Sequence, residues 1–149
     1  MIRKGDIKDL EACIKLFKQS VKTLCAKDYT KDQIKAWLGI DEEKWKEKFK
    51  NDEIFIYERE GKIASFISII LDQKILDLLF THPDFASQGL ATNLLDFALR
   101  NYPHNEIYTF VSLSAKEFFL KNDFEIVREN EAIRANQILK NFLMKKELK

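Results

Sequence analysis

The sequence is poor in cysteine, histidine, glycine and proline, and these shortages narrow what the chain can be. It contains only two cysteines and two histidines, the residues that most often bind zinc. Cys13 and Cys25 form no Cys-x-x-Cys pair, so we expect no metal site. Cys13 lies on the apolar face of a predicted helix, where we expect a reduced core thiol. With only four glycines in the chain, the position of each one is informative.

The chain also lacks a large excess of charge of either sign and lacks a long apolar run. The 25 basic and 24 acidic residues leave a formal net charge of +1, which does not predict binding to nucleic acid. The longest apolar-rich run, residues 63–71, is too short to span a bilayer. Residues 1–10 contain no apolar core of a signal peptide. We therefore expect a cytoplasmic protein without a membrane partner.

The sequence does contain enough apolar material for a substantial core. Of its 149 residues, 46% are hydrophobic and twelve are phenylalanine. This length suits one compact domain, and we find no repeat, low-complexity segment or linker. A single domain over residues 1–149 is predicted.

Apolar spacing and capping residues predict helices in the first third of the chain. Asp6 is a candidate N-cap for a first helix. Thr30 and Gln33 have the spacing of a capping box at the start of a second helix. Asp41 is a candidate cap for a third.

The rest of the chain alternates between strand and helix patterns. Residues 54–58 and 62–71 predict two strands joined by a tight turn. In the strand that follows, alternation predicts one face formed by Leu76, Leu78 and Phe80.

A helix over residues 89–101 and a strand over 106–112 come next. Ser114 and Glu117 have the spacing of a capping box for another helix, and the chain closes with an antiparallel hairpin. With an additional strand at the start, this order predicts an α/β (α+β) fold. We expect a mixed sheet of about seven strands with helices on both faces.

Gly89 lies between a strand-like segment and an amphipathic helix, among small residues. A helix start leaves four backbone N–H groups without partners and carries about half a positive charge. Small neighbours would let an anion reach those N–H groups, as in phosphate-binding loops. The same residues also suit an ordinary packing turn, and their spacing alone leaves both interpretations open.

Longer stretches carry a more specific signal. "LLFTHPDFASQGLATNLLDFAL" (78–99) resembles the cofactor-binding motif of the GNAT superfamily of acetyl-CoA-dependent N-acetyltransferases. "SLSAKEFFLKNDFEIV" (112–127) resembles the motif that follows it, and "NFLMKKEL" (141–148) the last strand of many members. "KDYTKDQIKAW" (27–37) is similar to a bacterial branch with a D-Y-x-x-x-Q-x-x-A-W pattern, which commonly reads S-x-x-A-x-x-F-F downstream.

The resemblance implies a binding site for acetyl-CoA at a split between the fourth and fifth strands. It assigns the pyrophosphate to the backbone N–H groups of Gln88, Gly89, Leu90, Ala91 and Thr92. It assigns the pantetheine amides to the backbone of Leu79, Phe80 and Thr81. Ser112 would lie at the other side of the split, and Phe119 would face the thioester sulfur.

The chain departs from the superfamily pattern at four positions. Ala86 stands where glutamine or arginine usually begins the loop, and Ser112 replaces asparagine. Asp123 replaces a glycine, which an aspartate in a left-handed conformation allows. Phe119 replaces a tyrosine proposed to protonate the leaving thiolate. Since a thiol has a pKa of roughly 8.5, this change should slow the reaction rather than abolish it.

The reaction that the resemblance implies is direct attack of an amine on the thioester. Asp77 interrupts an apolar strand and is a candidate for removing a proton or binding a cationic amine, although it also suits a solvated strand position. Asp77 and Ser112 are the candidate catalytic residues. Tyr29 and Trp37, with Trp45, are candidates for contacting the acceptor, or alternatively core aromatics.

Two functions therefore compete. The first is an N-acetyltransferase that uses acetyl-CoA to acetylate a primary amine of a small molecule or an exposed amino group. The alternative is a non-catalytic acyl-CoA-binding or regulatory module of the same fold, which Phe119 and the lack of an obvious base would suit. A homodimer is possible in either case.

Overall fold

A mixed sheet of seven strands organises the fold of the computed structural model, which describes residues 1–148. In space the strands lie in the order β1-β2-β3-β4-β5-β7-β6. Neighbours are antiparallel except β4 and β5, which are parallel. The strands are β1 Ile2–Lys4, β2 Glu53–Arg59, β3 Lys62–Ile70, β4 Ile75–Thr81, β5 Glu106–Ser112, β6 Glu125–Arg134 and β7 Gln137–Glu147.

Five α-helices cover the two faces of this sheet. They are α1 Leu10–Leu24, α2 Lys31–Leu38, α3 Glu42–Asn51, α4 Leu90–Arg100 and α5 Lys116–Lys121. Short 3-10 turns span Ile7–Asp9, Leu71–Gln73 and Pro83–Phe85. The predicted fold class and element order are confirmed. No helix among residues 1–148 has both the length and the apolar character needed to cross a bilayer.

The helix starts follow the local sequence signals in the first third of the chain. Asp6 caps the turn that leads into α1, and its side chain accepts a hydrogen bond from Lys8 N. Thr30 and Gln33 form a reciprocal capping box at α2, and Asp41 caps α3. These three predictions are confirmed, because such caps involve residues only two or three positions apart.

The predicted cap at Ser114 is wrong. Helix α5 begins at Lys116, and its N-cap residue, Ala115, makes no side-chain capping bond. The Ser114 hydroxyl instead donates to Asp28 Oδ2 at 2.7 Å, on the loop between α1 and α2. A tertiary hydrogen bond to a carboxylate replaces the local one.

The predicted shared face of Leu76, Leu78 and Phe80 is also wrong. Ser68 pairs with Leu78 and Ile69 with Leu76, so Asp77 is an extra residue in β4 without a partner in β3. Such a bulge shifts the alternation of side chains by one residue. Leu76 therefore belongs to the core between the sheet and α4, whereas Leu78 and Phe80 pack beneath α1 and α3.

The buried residues accordingly form two clusters, one on each face of the sheet. Phe17, Trp45 and Phe66 belong to the cluster beneath the N-terminal helices. Leu94, Ile107 and Met144 belong to the cluster beneath α4 and α5. The sheet is thus packed from both sides.

Asp9 and Arg3 join the first strand to the start of α1. Arg3 donates to both carboxylate oxygens of Asp9, at 3.0 and 2.8 Å, and also contacts Glu58. Only 11% of the Asp9 side chain is exposed. The Arg3 guanidinium holds the pKa of Asp9 below its ordinary value, although burial acts in the opposite direction.

Asp9→Asn is expected to lower the free energy of unfolding by about 2 kcal/mol at pH 7, because a two-pronged charged contact is lost. Since the folded-state pKa of Asp9 lies below the unfolded value, this stabilisation is present above about pH 4 and disappears as the pH falls further. Urea unfolding at pH 7 and pH 3 measures it. Asp96→Asn, at an exposed position of α4, should change stability by less than about 0.5 kcal/mol. A deficit of equal size at both pH values would contradict the assignment.

Candidate functional site

Strands β4 and β5 meet at one end and separate at the other. Ile75 pairs with Tyr108, and Tyr108 N donates to Lys74 O at 2.9 Å. No further pair between the two strands is present among residues 1–148. The predicted split is therefore present, and it opens toward the ends of β4 and β5.

The backbone of β4 lines one side of this gap. His82 N donates to Ala64 O on β3 at 2.8 Å, and the Phe80 carbonyl accepts from Ser65 Oγ at 2.8 Å. Because backbone groups alternate in direction along a strand, Phe80 is directed at β3 while Leu79 and Thr81 face the gap. Of the three residues predicted to bind pantetheine, two thus present free backbone groups to it.

The loop after β4 ends in a helix start whose N–H groups lack acceptors. Gly89 is the N-cap of α4 with φ +80°, and Ser87 also has a positive φ of 62°. Within residues 1–148, the backbone N–H groups of residues 88–92 make no hydrogen bond. A Cβ added to Gly89 would meet no atom within 4 Å. The predicted cradle is therefore open, and an anion can approach it from solvent.

Ser112 and Phe119 lie on the β5 side of the gap. The Ser112 hydroxyl accepts a hydrogen bond from Ala115 N at 3.2 Å, which leaves its proton available. Phe119 is only 5% exposed, and its ring packs edge-on against Phe118 and Phe124 at centroid distances of 5.1 and 5.0 Å. Asp123 adopts φ +69°, as its replacement of glycine requires. In this structure the Phe119 ring is part of the core.

Asp77 lies at the bulge of β4 and forms an ion pair with Lys48 of α3. Lys48 Nζ also lies 3.0 Å from Asp52 Oδ2. Burial alone would lower the pKa of Lys48, but its contacts with Asp77 and Asp52 raise it overall, so the ammonium is charged at neutral pH. Burial raises the pKa of Asp52. The cluster of Lys48, Asp52 and Asp77 thus contains two carboxylic acids and one base. The Asp77 side chain is 33% exposed.

Tyr29 connects three parts of the chain. Its hydroxyl donates to Lys140 O of β7 at 2.7 Å and accepts from Leu113 N at 2.9 Å. The residue is 8% exposed, and burial raises the pKa of its hydroxyl, which stays protonated and able to donate. Its ring packs edge-on against Trp37 at 5.4 Å. The hydroxyl of Tyr29, a residue predicted to contact the acceptor, is thus committed to the protein backbone.

Trp37 and Trp45 have different environments. Trp37 is partly buried beside the N-terminal core cluster. Trp45 is 7% exposed and packs against Phe17 and Phe49. Trp45 is therefore a core residue, whereas Trp37 retains some exposed surface.

Tyr29→Phe is expected to reduce the free energy of unfolding by about 1–3 kcal/mol, because it leaves a backbone N–H and a backbone carbonyl without their partner. Tyr57→Phe is the matched control, since the Tyr57 hydroxyl makes no hydrogen bond within residues 1–148; it should change stability by less than about 0.5 kcal/mol. Urea unfolding of both variants measures the difference. Equal stabilities would show that the Tyr29 hydrogen bonds contribute nothing net.

A cavity of about 560 Å³ adjoins the end of β5, on the side of the closing hairpin. Leu113 forms part of its wall, together with Asn141 and Phe142 of β7 and Arg128 and Asn130 of β6. Because the Leu113 backbone N–H is held by the Tyr29 hydroxyl, this part of the cavity wall is fixed.

Two residues of the site were not predicted from the sequence. Lys48 neutralises part of the charge at Asp77, and Arg59 at the end of β2 donates from Nη1 to Gln88 Oε1 at 2.9 Å. Lys48 and Asp52 have a helical ion-pair spacing, which is the one local signal available. Nothing in the local pattern connects either basic residue to the loop or strand that it contacts.

Known proteins resemble this chain in both sequence and fold. Residues 25–148 match the family model described as an acetyltransferase (GNAT) domain. YafP, an uncharacterised N-acetyltransferase of Escherichia coli K12, is 29% identical over 141 residues, which cover 95% of this chain and 89% of that protein.

Solved structures show the same fold. The crystal structure of a GCN5-related N-acetyltransferase from Rhodopseudomonas palustris matches with a TM-score of 0.94 and 25% identity, covering 99% of this chain and 95% of that one. The PaiA N-acetyltransferase from Thermoplasma acidophilum, crystallised in complex with coenzyme A, matches with a TM-score of 0.78 and 21% identity, covering 99% and 98%.

Proposed function

The chain belongs to the GNAT acetyltransferase family, and on that premise we propose that it transfers the acetyl group of acetyl-CoA to a primary amine. The observation that carries this proposal is the open set of backbone N–H groups at residues 88–92, next to a gap between two parallel strands. Both features suit one extended ligand with a diphosphate and an amide-containing arm. We assign the whole chain, residues 1–149, to one acetyltransferase domain.

The cofactor loop holds the diphosphate in this proposal. The N–H groups of Gln88, Gly89, Leu90, Ala91 and Thr92 converge at a helix start, where the helix dipole favours an anion. Leu79 and Thr81 bind the pantetheine amides as a neighbouring strand would. Ser112 donates its hydroxyl proton from the opposite side, since its oxygen is occupied by Ala115 N. When bound, acetyl-CoA supplies an activated acetyl thioester.

Asp77 is the residue assigned to the amine. Presenting an alkyl ammonium as a neutral amine at pH 7 costs roughly 4–5 kcal/mol. Within residues 1–148 only Oδ2 of Asp77 has a partner, Lys48, so Oδ1 remains able to attract the ammonium and accept its proton. Phe119 has no proton to give, and water can protonate a thiolate whose pKa is roughly 8.5.

The acceptor enters from the side of the closing hairpin. The cavity beside Leu113 lies on this side. Trp37, which is only partly buried, packs against Tyr29, whose hydroxyl holds Leu113. Tyr29 holds the Leu113 backbone at the edge of this cavity and is not assigned a hydrogen bond to substrate, because both functions of its hydroxyl are used. We propose a small amine or an exposed amino group as the acceptor.

A non-catalytic acyl-CoA-binding module is the second candidate. It is favoured by the buried Phe119 ring and by the ion pair that occupies one oxygen of Asp77. Thermal unfolding with acetyl-CoA, followed by an amine panel that records release of free thiol, separates the two. Stabilisation with turnover supports the enzyme, and stabilisation without turnover supports the module. A saturating ligand should raise the melting temperature by several degrees, and the absence of any rise would contradict both.

A further inference from the structure

Arg59 extends from the end of β2 onto the loop that precedes α4. Its Nη1 donates to the side-chain oxygen of Gln88 at 2.9 Å, and the amide nitrogen of Gln88 is 3.5 Å from Asp84 O. The β2–β3 turn that follows Arg59 is tight, with φ of 54° at Glu60 and 73° at Gly61. This turn brings a guanidinium within one side-chain length of the N–H groups at the start of α4.

The loop has no full positive charge of its own. Between Lys74 and Arg100 the sequence contains no lysine or arginine, and Asp77, Asp84 and Asp96 are acidic. The helix start contributes only about half a unit of positive charge. A cation from another part of the fold would therefore strengthen the binding of a diphosphate there.

The charge of Arg59 is not neutralised by the protein. Within residues 1–148 it forms no ion pair, and the residue is exposed. Arg3 provides a contrast, since it contacts the carboxylates of both Asp9 and Glu58. A guanidinium has five N–H donors, and the bond to Gln88 uses one of them. Enough donors remain for a two-pronged contact with a phosphate.

We propose that Arg59 is a diphosphate-binding residue and that Gln88 orients its guanidinium toward the loop. This inference rests on the proposed function, since the diphosphate is that of coenzyme A. Ala86 provides no side chain that could perform this role within the loop. The β2–β3 turn supplies the cation instead.

Isothermal titration of the full chain with coenzyme A and with dephospho-coenzyme A tests the proposal. Dephospho-coenzyme A keeps the diphosphate and lacks the 3′-phosphate. Arg59→Gln can still hydrogen-bond Gln88 but carries no charge, and we expect it to weaken binding of both ligands by about tenfold. Arg59→Lys should lose less affinity than Arg59→Gln, because lysine keeps the positive charge but lacks the planar set of donors of a guanidinium. Lys62→Gln, on the opposite strand of the same turn, should bind like the wild type.

The outcomes distinguish this inference from the function on which it rests. If the wild type binds both ligands and Arg59→Gln binds them with the same affinity, the role of Arg59 is overturned and the proposed function stays in place. A loss confined to coenzyme A would assign Arg59 to the 3′-phosphate and would also overturn it. If Lys62→Gln lost as much affinity as Arg59→Gln, the loss would be an effect of general surface charge, and the role of Arg59 would be overturned. A wild-type chain that binds neither ligand would refute the proposed function itself.

Discussion

Replacing Gly89 by aspartate is expected to weaken binding of coenzyme A at least about a hundredfold. The Cβ of residue 89 points into open space beside the N–H groups of residues 88–92, so a carboxylate there would occupy the region assigned to the diphosphate. Two unit charges about 4 Å apart repel by about 4 kcal/mol at the effective dielectric of a protein surface. The substitution also opposes the favourable field of the helix start.

Gly89→Asn is the control for the backbone. Gly89 has φ +80°, a left-handed conformation that asparagine and aspartate tolerate to a similar degree. The two variants should therefore lose the same small amount of stability, and their difference in affinity isolates the charge. Titration with coenzyme A, together with unfolding of the free protein, measures both quantities. If the two variants bind equally well, the diphosphate does not lie at this helix start.

The elements predicted from the sequence are those determined by nearby residues. The capping box of Thr30 and Gln33 and the turn at Glu60–Gly61 need only a few consecutive residues. Gly89 has the positive φ expected of a glycine between a strand and a helix. The loop before α4 is likewise a run of neighbouring residues, so its open N–H groups could be predicted from the sequence, whereas its binding of a cofactor stays a prediction.

The features that the sequence could not predict depend on contacts between distant segments. The bulge at Asp77 arises where β3 and β4 pair out of step, and alternation within β4 alone contains no sign of it. Ser114 satisfies a local capping rule but bonds to Asp28 across the fold. Tyr29 lies in a polar loop, and only the approach of β5 and β7 commits its hydroxyl. In each case a tertiary partner prevails over a local preference.

Asp77→Asn is expected to reduce kcat/KM for the amine by about a hundredfold, with little change in the affinity for coenzyme A. Asparagine has nearly the same shape, but it does not attract an ammonium and is not a useful proton acceptor. Lys48 keeps its contact with Asp52 at 3.0 Å, so the fold should tolerate the change. Steady-state rates with saturating acetyl-CoA and varied amine, together with thermal unfolding, provide the measurement.

The division of the loss between KM and kcat identifies what Asp77 does. A residue that only attracts the cationic amine contributes uniform binding, so its removal raises KM and leaves kcat unchanged. A residue that takes the proton acts in the transition state, so its removal lowers kcat. Asp72→Asn changes an exposed acid just before β4 and should alter neither. If Asp77→Asn also alters neither, the ion pair with Lys48 is purely structural, and the proton must leave through water.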